Sequence, residues 1–182
     1  MLTSYHFSAA GGGYVCTIAV MAAQITKIKK ERKNTMRLWS KQLIKYLPRE
    51  QLVAQWRELS AIAGAIQKNG TPNHILVNKV LDYDFDHFIT YASLVREEMT
   101  KRGYRTMNSV WEKITSLKPD WKPIDFNDLF WFWHDDRYLK QCFYNLEEKF
   151  DCGGVDAKVY KAMVREFNKR LNLGYNPSEW YY

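Results

Sequence analysis

Apolar residues recur at three- and four-residue steps along several stretches of the chain, and this spacing predicts helices. The first stretch begins after Pro48, which suits the first turn of a helix because proline has no N–H to donate. It ends at Asn69-Gly70, two residues that tolerate left-handed backbone. The predicted buried face of this helix consists of Leu52, Val53, Trp56, Leu59, Ile62, Ala63 and Ile66.

Four further helices are expected downstream. Asp84 is the expected N-cap of the second, and Gly103 ends it. A short helix is predicted over 107–117, a third long helix over 128–150 and a last helix over 156–171. Their predicted buried residues are Phe85, Phe88, Ile89, Ala92, Val95 and Met99, then Val110, Ile114 and Leu117, then Phe132, Leu139, Phe143 and Leu146, then Val159, Met163 and Phe167. No segment predicts a strand, so the expected fold is all-α, a single compact domain of three to five helices.

Aromatic residues are concentrated in two places. The run 130–133, Phe-Trp-Phe-Trp, is expected to pack in the core, because such rings bury large areas. The terminal residues Trp180 and Tyr181 follow a glycine- and proline-containing stretch, so they either stack on an unpaired base or dock back onto the helices.

Composition limits the function classes. The formal net charge is +7, of which residues 1–35 contribute +4 and residues 36–182 only +3, so charge alone is weak evidence for nucleic-acid binding. The apolar stretch 14–23 is too short to cross a membrane. Three cysteines and four scattered histidines show no metal-ligand spacing, so no metal or other cofactor is expected. The chain is therefore expected to be a cytoplasmic monomer with reduced thiols and no membrane contact.

Glu58 lies beside the apolar face of the first helix, with small residues such as Ala54 and Ala61 one turn away. Small side chains leave room there for another chain segment or a ligand; the alternative is a surface glutamate beside Arg57. Basic residues cluster near Met36 and again after the second helix, where they could contact phosphates or remain solvated. These residues are Arg37, Lys41, Lys45 and Arg49, and then Lys101, Arg102 and Arg105.

Several motifs, taken in order, resemble the pyrimidine-dimer DNA glycosylase/AP lyase family. Arg57-Glu58-Leu59 matches the family's catalytic Arg-Glu-Leu on a long helix, and Arg37 matches an arginine close behind the N-terminus. Lys101-Arg102-Gly103-Tyr104 matches the end of the family's second helix. A weaker similarity covers His134-Asp135 and 146–149, so the resemblance spans roughly 36–150.

The resemblance implies a DNA repair glycosylase with AP lyase activity, which acts on pyrimidine dimers or a related lesion in double-stranded DNA. Its nucleophile would be an N-terminal amine, here that of Met36 if translation starts there, and Glu58 would stabilise the resulting imine. The implied DNA contacts are Arg37, Arg57, Lys101, Arg102, Lys149, Trp180 and Tyr181. The alternatives are a non-catalytic helical nucleic-acid-binding protein, and an enzyme of the same fold acting on another lesion or on RNA.

Three departures from the family pattern bear on the substrate more than on the chemistry. The bulky Arg37 follows Met36, which would keep that methionine in place. Ala61 replaces an arginine one turn beyond the glutamate, and Val77 or Asn78 occupies the region of a family histidine. Residues 1–35 are expected to be either a disordered extension or the product of a start assigned too early, and 36–182 a helical DNA glycosylase-like domain.

Overall fold

The computed structural model describes residues 36–175. The predictions for residues 1–35 and for Trp180 and Tyr181 lie outside this part of the chain. Contacts between Cα atoms divide the chain into two units, Met1–Met36 and Arg37–Tyr182, and the following description concerns the second.

Residues 36–175 form α-helices and 3-10 helices and contain no strand, which confirms the predicted all-α class. The α-helices are α1 (Arg49–Asn69), α2 (Phe85–Lys101), α3 (Asn108–Thr115), α4 (Asp136–Asp151) and α5 (Ala157–Leu171). A first 3-10 helix spans Lys41–Tyr46 and a second spans Asn78–Asp82. Neither 3-10 helix was predicted, because such short turns leave little periodic signal in a sequence.

Helix α1 ends as the sequence predicts, at Gly70, whose φ of 71° is the left-handed conformation that glycine adopts without steric cost. Its predicted apolar face is buried, except that Val53 is only half-buried. Asp84 caps α2 by accepting from the Asp86 N–H at 3.0 Å, and Gly103 follows its last turn with a φ of 72°. The N–H of Tyr104 then reaches the Met99 carbonyl at 2.8 Å, which completes a Schellman-type end.

The prediction for the third long helix is wrong at its start, since α4 begins at Asp136 and not near residue 128. Asp135 is the N-cap, and its carboxylate accepts from the Tyr138 N–H at 2.7 Å. The preceding residues form turns, with Phe130 at a φ of 47°. The expected burial of the run 130–133 is therefore wrong for two of its four rings: Phe130 and Trp133 are buried, whereas Trp131 and Phe132 are exposed.

Smaller differences concern α3 and α5. In α3 only Ile114 is buried and Val110 is half-buried, because this short helix covers only the surface of α1 and α2. Leu117 is also half-buried, and it lies beyond the end of α3 at Thr115. In α5 Val159 is half-buried, and Tyr160 takes the core position. Phe85, in the first turn of α2, is half-buried rather than fully buried.

Two groups of helices meet at the first 3-10 helix. Helix α1 packs on α2 and α3, and α4 packs on α5. The first 3-10 helix contacts α2, α4 and α5, so the chain just before α1 passes between the groups. Within residues 36–175 no helix is both long and apolar enough to cross a membrane.

Candidate active site

The extended segment before the first 3-10 helix is held in place by side chains from three helices. The Trp39 N–H donates to Oε1 of Gln55 at 2.9 Å, and the Trp39 carbonyl accepts from the Tyr91 hydroxyl at 2.7 Å. The Leu38 carbonyl accepts from the Tyr138 hydroxyl at 2.5 Å. Because buried backbone groups outside regular structure must find other partners, these side chains fix the path of the segment.

The next two residues are held by α4 and by the turn before it. The Ser40 N–H donates to Sγ of Cys142 at 3.3 Å, and the Lys41 N–H donates to Nδ1 of His134 at 3.1 Å. Burial holds the pKa of His134 well below its usual value, so the ring is neutral and its proton is on Nε2. His134 therefore serves as a buried acceptor that positions this segment.

Glu58 binds the backbone at the beginning of the same segment. The backbone N–H of Arg37 donates to the Glu58 carboxylate. Burial raises the pKa of Glu58 to about 7, although that hydrogen bond and the charges of Arg37 and Arg57 act in the opposite direction. A carboxyl group with a pKa near neutrality can both hold and release a proton under physiological conditions, as an acid–base catalyst must.

The Arg37 side chain interacts with Glu58 through its charge and also lines a cleft of about 380 Å³. Its guanidinium lies 5.2 Å from the centre of the Trp39 ring, and its charge favours the ionised forms of Glu58 and Cys142. Glu58 itself does not line this cleft. Besides Arg37, the lining residues are Leu76, Tyr138, Gln141, Tyr144, Asn145 and Glu148.

The other predicted DNA contacts lie in different surroundings. Arg57 is exposed next to Glu58 on α1, and Lys101 is exposed at the end of α2. Lys149 is half-buried at the end of α4. The Arg102 guanidinium is engaged within the protein: it donates to Glu98 at 2.6 Å and to the Leu47 and Lys45 carbonyls at 2.6 and 2.7 Å.

Some residues of the two predicted basic clusters lie together in the structure. Lys41, Lys45 and Lys101 line a second cleft of about 240 Å³. Arg37 instead lines the first cleft. Lys41 is buried, and its amine donates to the carbonyls of Asn127 and Leu129 at 2.9 and 2.6 Å. Burial lowers the pKa of Lys41 to about 8, so part of this amine is neutral near physiological pH.

Sequence reasoning missed most residues that position the site. Gln55 was detectable, because a polar residue interrupts the apolar face of α1 where Leu52, Trp56 and Leu59 are buried. Tyr138 and Cys142 lie four residues apart and so share one face of α4, but that spacing is common in helices. Only the structure shows that these two side chains bind the Leu38 carbonyl and the Ser40 N–H.

A comparison with known protein families places part of this chain. Residues 36–112 match the family model described as pyrimidine dimer DNA glycosylase. This segment is similar to the pyrimidine dimer DNA glycosylases. The match confirms the predicted family resemblance over this segment. It includes Arg37, Glu58, Lys101 and Arg102, and it ends before α4. No curated protein and no solved structure matches the chain.

In the part of the chain that the structure describes, no three histidine, cysteine, aspartate or glutamate side chains converge as a metal site would require.

Proposed function

We propose that this protein is a DNA repair glycosylase with AP lyase activity, which acts as a monomer on pyrimidine dimers or a related lesion in double-stranded DNA. The nucleophile is the α-amine of Met36 in a chain that begins at this residue. Glu58 is the acid–base and charge-stabilising group. The observation that carries the proposal is the hydrogen bond from the Arg37 N–H to the Glu58 carboxylate.

Covalent geometry links that hydrogen bond to the amine. The α-nitrogen of residue 36 is separated from the Arg37 nitrogen by three bonds, so the two atoms are within about 4 Å of each other. A carboxylate that binds the Arg37 N–H therefore lies close to any amine on Met36. An α-amine has a pKa of about 7.7–8.0, so a useful fraction is neutral at physiological pH.

The reaction would proceed in two stages. The neutral amine attacks C1′ of the damaged nucleotide, and the base leaves with the electron pair of the glycosidic bond and takes up a proton. Opening of the sugar ring then leaves an imine between C1′ and the Met36 nitrogen. Loss of a C2′ proton from this imine breaks the C3′–O bond and cuts the strand. Glu58 would stabilise the cationic imine and transfer protons.

The basic residues are proposed to hold the DNA backbone. Arg37 and Arg57 lie beside Glu58 and would bind phosphates next to the damaged nucleotide or orient the carboxylate. Lys101 and Lys149 would bind phosphates further away. Arg102 would contribute through its position at the end of α2, since its guanidinium already binds Glu98 and two backbone carbonyls.

The test is borohydride trapping on duplex DNA with one abasic site. Two chains are compared, one that begins at Met36 and the full chain, followed by peptide mapping of the attached residue. We expect an adduct with the shorter chain, mapped to the Met36 amine. Burial lowers the pKa of the Lys41 amine to about 8, so it is a competing nucleophile, and an adduct mapped to Lys41 would refute the assigned one.

Two glutamate variants separate catalysis from folding. Glu58→Gln should reduce the trapping rate by about 10²-fold or more, since acid–base catalysis contributes about 10²–10⁴-fold. Glu112→Gln, an exposed glutamate on α3, should leave the rate unchanged. A folded Met36 chain that binds damaged DNA but forms no adduct would leave a non-catalytic DNA-binding protein.

A further inference from the structure

Trp131 and Phe132 project from the protein as neighbouring aromatic side chains. Their exposed fractions are 65% and 76%, and their ring centres lie 5.7 Å apart at an angle of 68°. The family match ends at residue 112, so this pair lies outside it. Large exposed aromatic side chains are unfavourable in water, and neighbouring ones therefore suggest a binding role.

The turn that displays these rings is held firmly. The Phe130 N–H donates to Nδ1 of His87 at 3.0 Å, and the Phe130 carbonyl accepts from the Trp133 N–H at 2.9 Å. The Tyr83 hydroxyl accepts from the backbone N–H groups of Phe132 and Trp133. Phe130 is buried and adopts a φ of 47°, a conformation uncommon for a non-glycine residue. The exposure of the pair is thus imposed by a defined backbone.

A groove of about 360 Å³ runs beside the pair, a volume within the range of small-ligand sites. It meets the Arg37 cleft along α4, because Tyr138 and Gln141 line both. Tyr138 also binds the Leu38 carbonyl, one residue beyond Arg37. The groove is lined, besides the pair, by Lys79, Trp133, Asp135, Arg137, Tyr138 and Gln141.

The charges along this groove favour an anionic ligand with a flat ring. Lys79 and Arg137 are exposed, and neither forms a salt bridge with another residue of the described range. The carboxylate of Asp135 already caps α4. Aromatic rings next to free cations are the combination that binds single nucleotides, through base stacking and phosphate contacts.

We infer that Trp131 and Phe132 form a stacking site for an unpaired nucleobase of the DNA, with Lys79 and Arg137 on its phosphates. This inference rests on the proposed function, because the groove adjoins the cleft where the damaged nucleotide would be processed. A lesion lowers the cost of taking a base out of the stack, so the site acts mainly on damaged duplexes. It therefore contributes to recognition of the damaged position.

The test measures binding of the full chain to two duplexes of the same sequence, one intact and one with a single tetrahydrofuran abasic analogue. The variants are Trp131→Ala, Phe132→Ala and the conservative Trp131→Phe. Phe126→Ala is the matched control, since Phe126 is an exposed ring of the same connecting segment that does not line the groove. Circular dichroism checks that each variant is folded.

We expect the unmodified chain to prefer the abasic duplex and Trp131→Ala to weaken that binding about tenfold, as loss of one base–aromatic stack does. Intact-duplex binding and the salt slope should change little, because no cation is removed. Trp131→Phe should retain most of the preference. A preference that survives both alanine variants overturns the stacking site and leaves the proposed function standing. Absence of any preference in the unmodified chain overturns both.

Discussion

Replacement of Glu58 by glutamine should make the protein more stable at alkaline pH. Burial raises the pKa of Glu58 from its ordinary value of 4.5 to about 7. Between these two pH values the unfolded chain has lost this proton while the folded chain still holds it, so stability falls as pH rises. The whole loss is present above pH 7, and none of it is present below pH 4.5. Glutamine resembles the protonated acid and still offers an oxygen to the Arg37 N–H.

The shift sets the size of the effect. One pKa unit corresponds to about 1.36 kcal/mol, so a rise from 4.5 to about 7 gives about 3 kcal/mol without screening. Glu58 is only half-buried, and solvent screening reduces this to about 1–2 kcal/mol. We therefore compare the free energy of unfolding of Glu58→Gln with that of the unmodified chain at each pH. The variant should gain about 1–2 kcal/mol over the unmodified chain between pH 4.5 and pH 8.

The assay is urea unfolding of the full chain and its Glu58→Gln variant at half-unit steps from pH 4.5 to pH 8. The quantity of interest is the difference between the two free energies of unfolding, because other titrating groups cancel from it. Glu112→Gln, which removes an exposed glutamate of α3, is the matched control. A flat difference for Glu58→Gln would show that this carboxyl group titrates normally, and it would remove the acid–base role proposed for it.

Three other predictions concern how the site is held. Tyr91→Phe leaves the buried Trp39 carbonyl without its donor and should lower the free energy of unfolding by about 1–3 kcal/mol, measured by urea unfolding. Arg102→Lys should lower the free energy of unfolding by at least about 1.5 kcal/mol, because lysine cannot make three separate hydrogen bonds in the same geometry. Lys101→Ala is the control and should lower it by less than about 0.5 kcal/mol. Asp135→Ala removes the α4 cap and should lower the free energy of unfolding by about 1 kcal/mol, which is measured as a lower melting temperature.

The sequence predicted the helices where periodicity and capping residues agree. Asp84 and Gly103 mark the ends of α2, and Gly70 marks the end of α1, because caps and left-handed positions depend on local chemistry. The start of α4 was misplaced because 128–134 is apolar enough to continue a helical pattern. Asp135 was available as a cap signal, but the turns before it depend on His87 and Tyr83, which are distant in sequence.

The candidate site was predictable only in part. Glu58 and Arg37 were predicted as site residues from the order of the motifs along the chain. In the structure the Arg37 N–H donates to the Glu58 carboxylate. The raised pKa of Glu58 could not be read from the sequence, since it arises from burial of the carboxyl group in the folded chain. The exposure of Trp131 and Phe132 could not be predicted from the sequence, because runs of aromatic residues are usually buried. Such an exception points to binding more often than to packing.

A free amine at Met36 would change the charge balance around Glu58, and the direction of that change tests the proposed roles. An ammonium next to the carboxylate lowers the pKa of Glu58 and raises that of the amine, which works against a nucleophile that must be neutral. Burial of Glu58 opposes this effect, because it favours the protonated acid. Glu58→Gln should therefore lower the pKa of the Met36 amine and yet slow imine formation on abasic DNA. The amine pKa is measured from the pH dependence of its reductive methylation, and the imine from borohydride trapping at the same pH values. If trapping became faster in step with the free amine, Glu58 would only restrain the nucleophile and would not transfer protons.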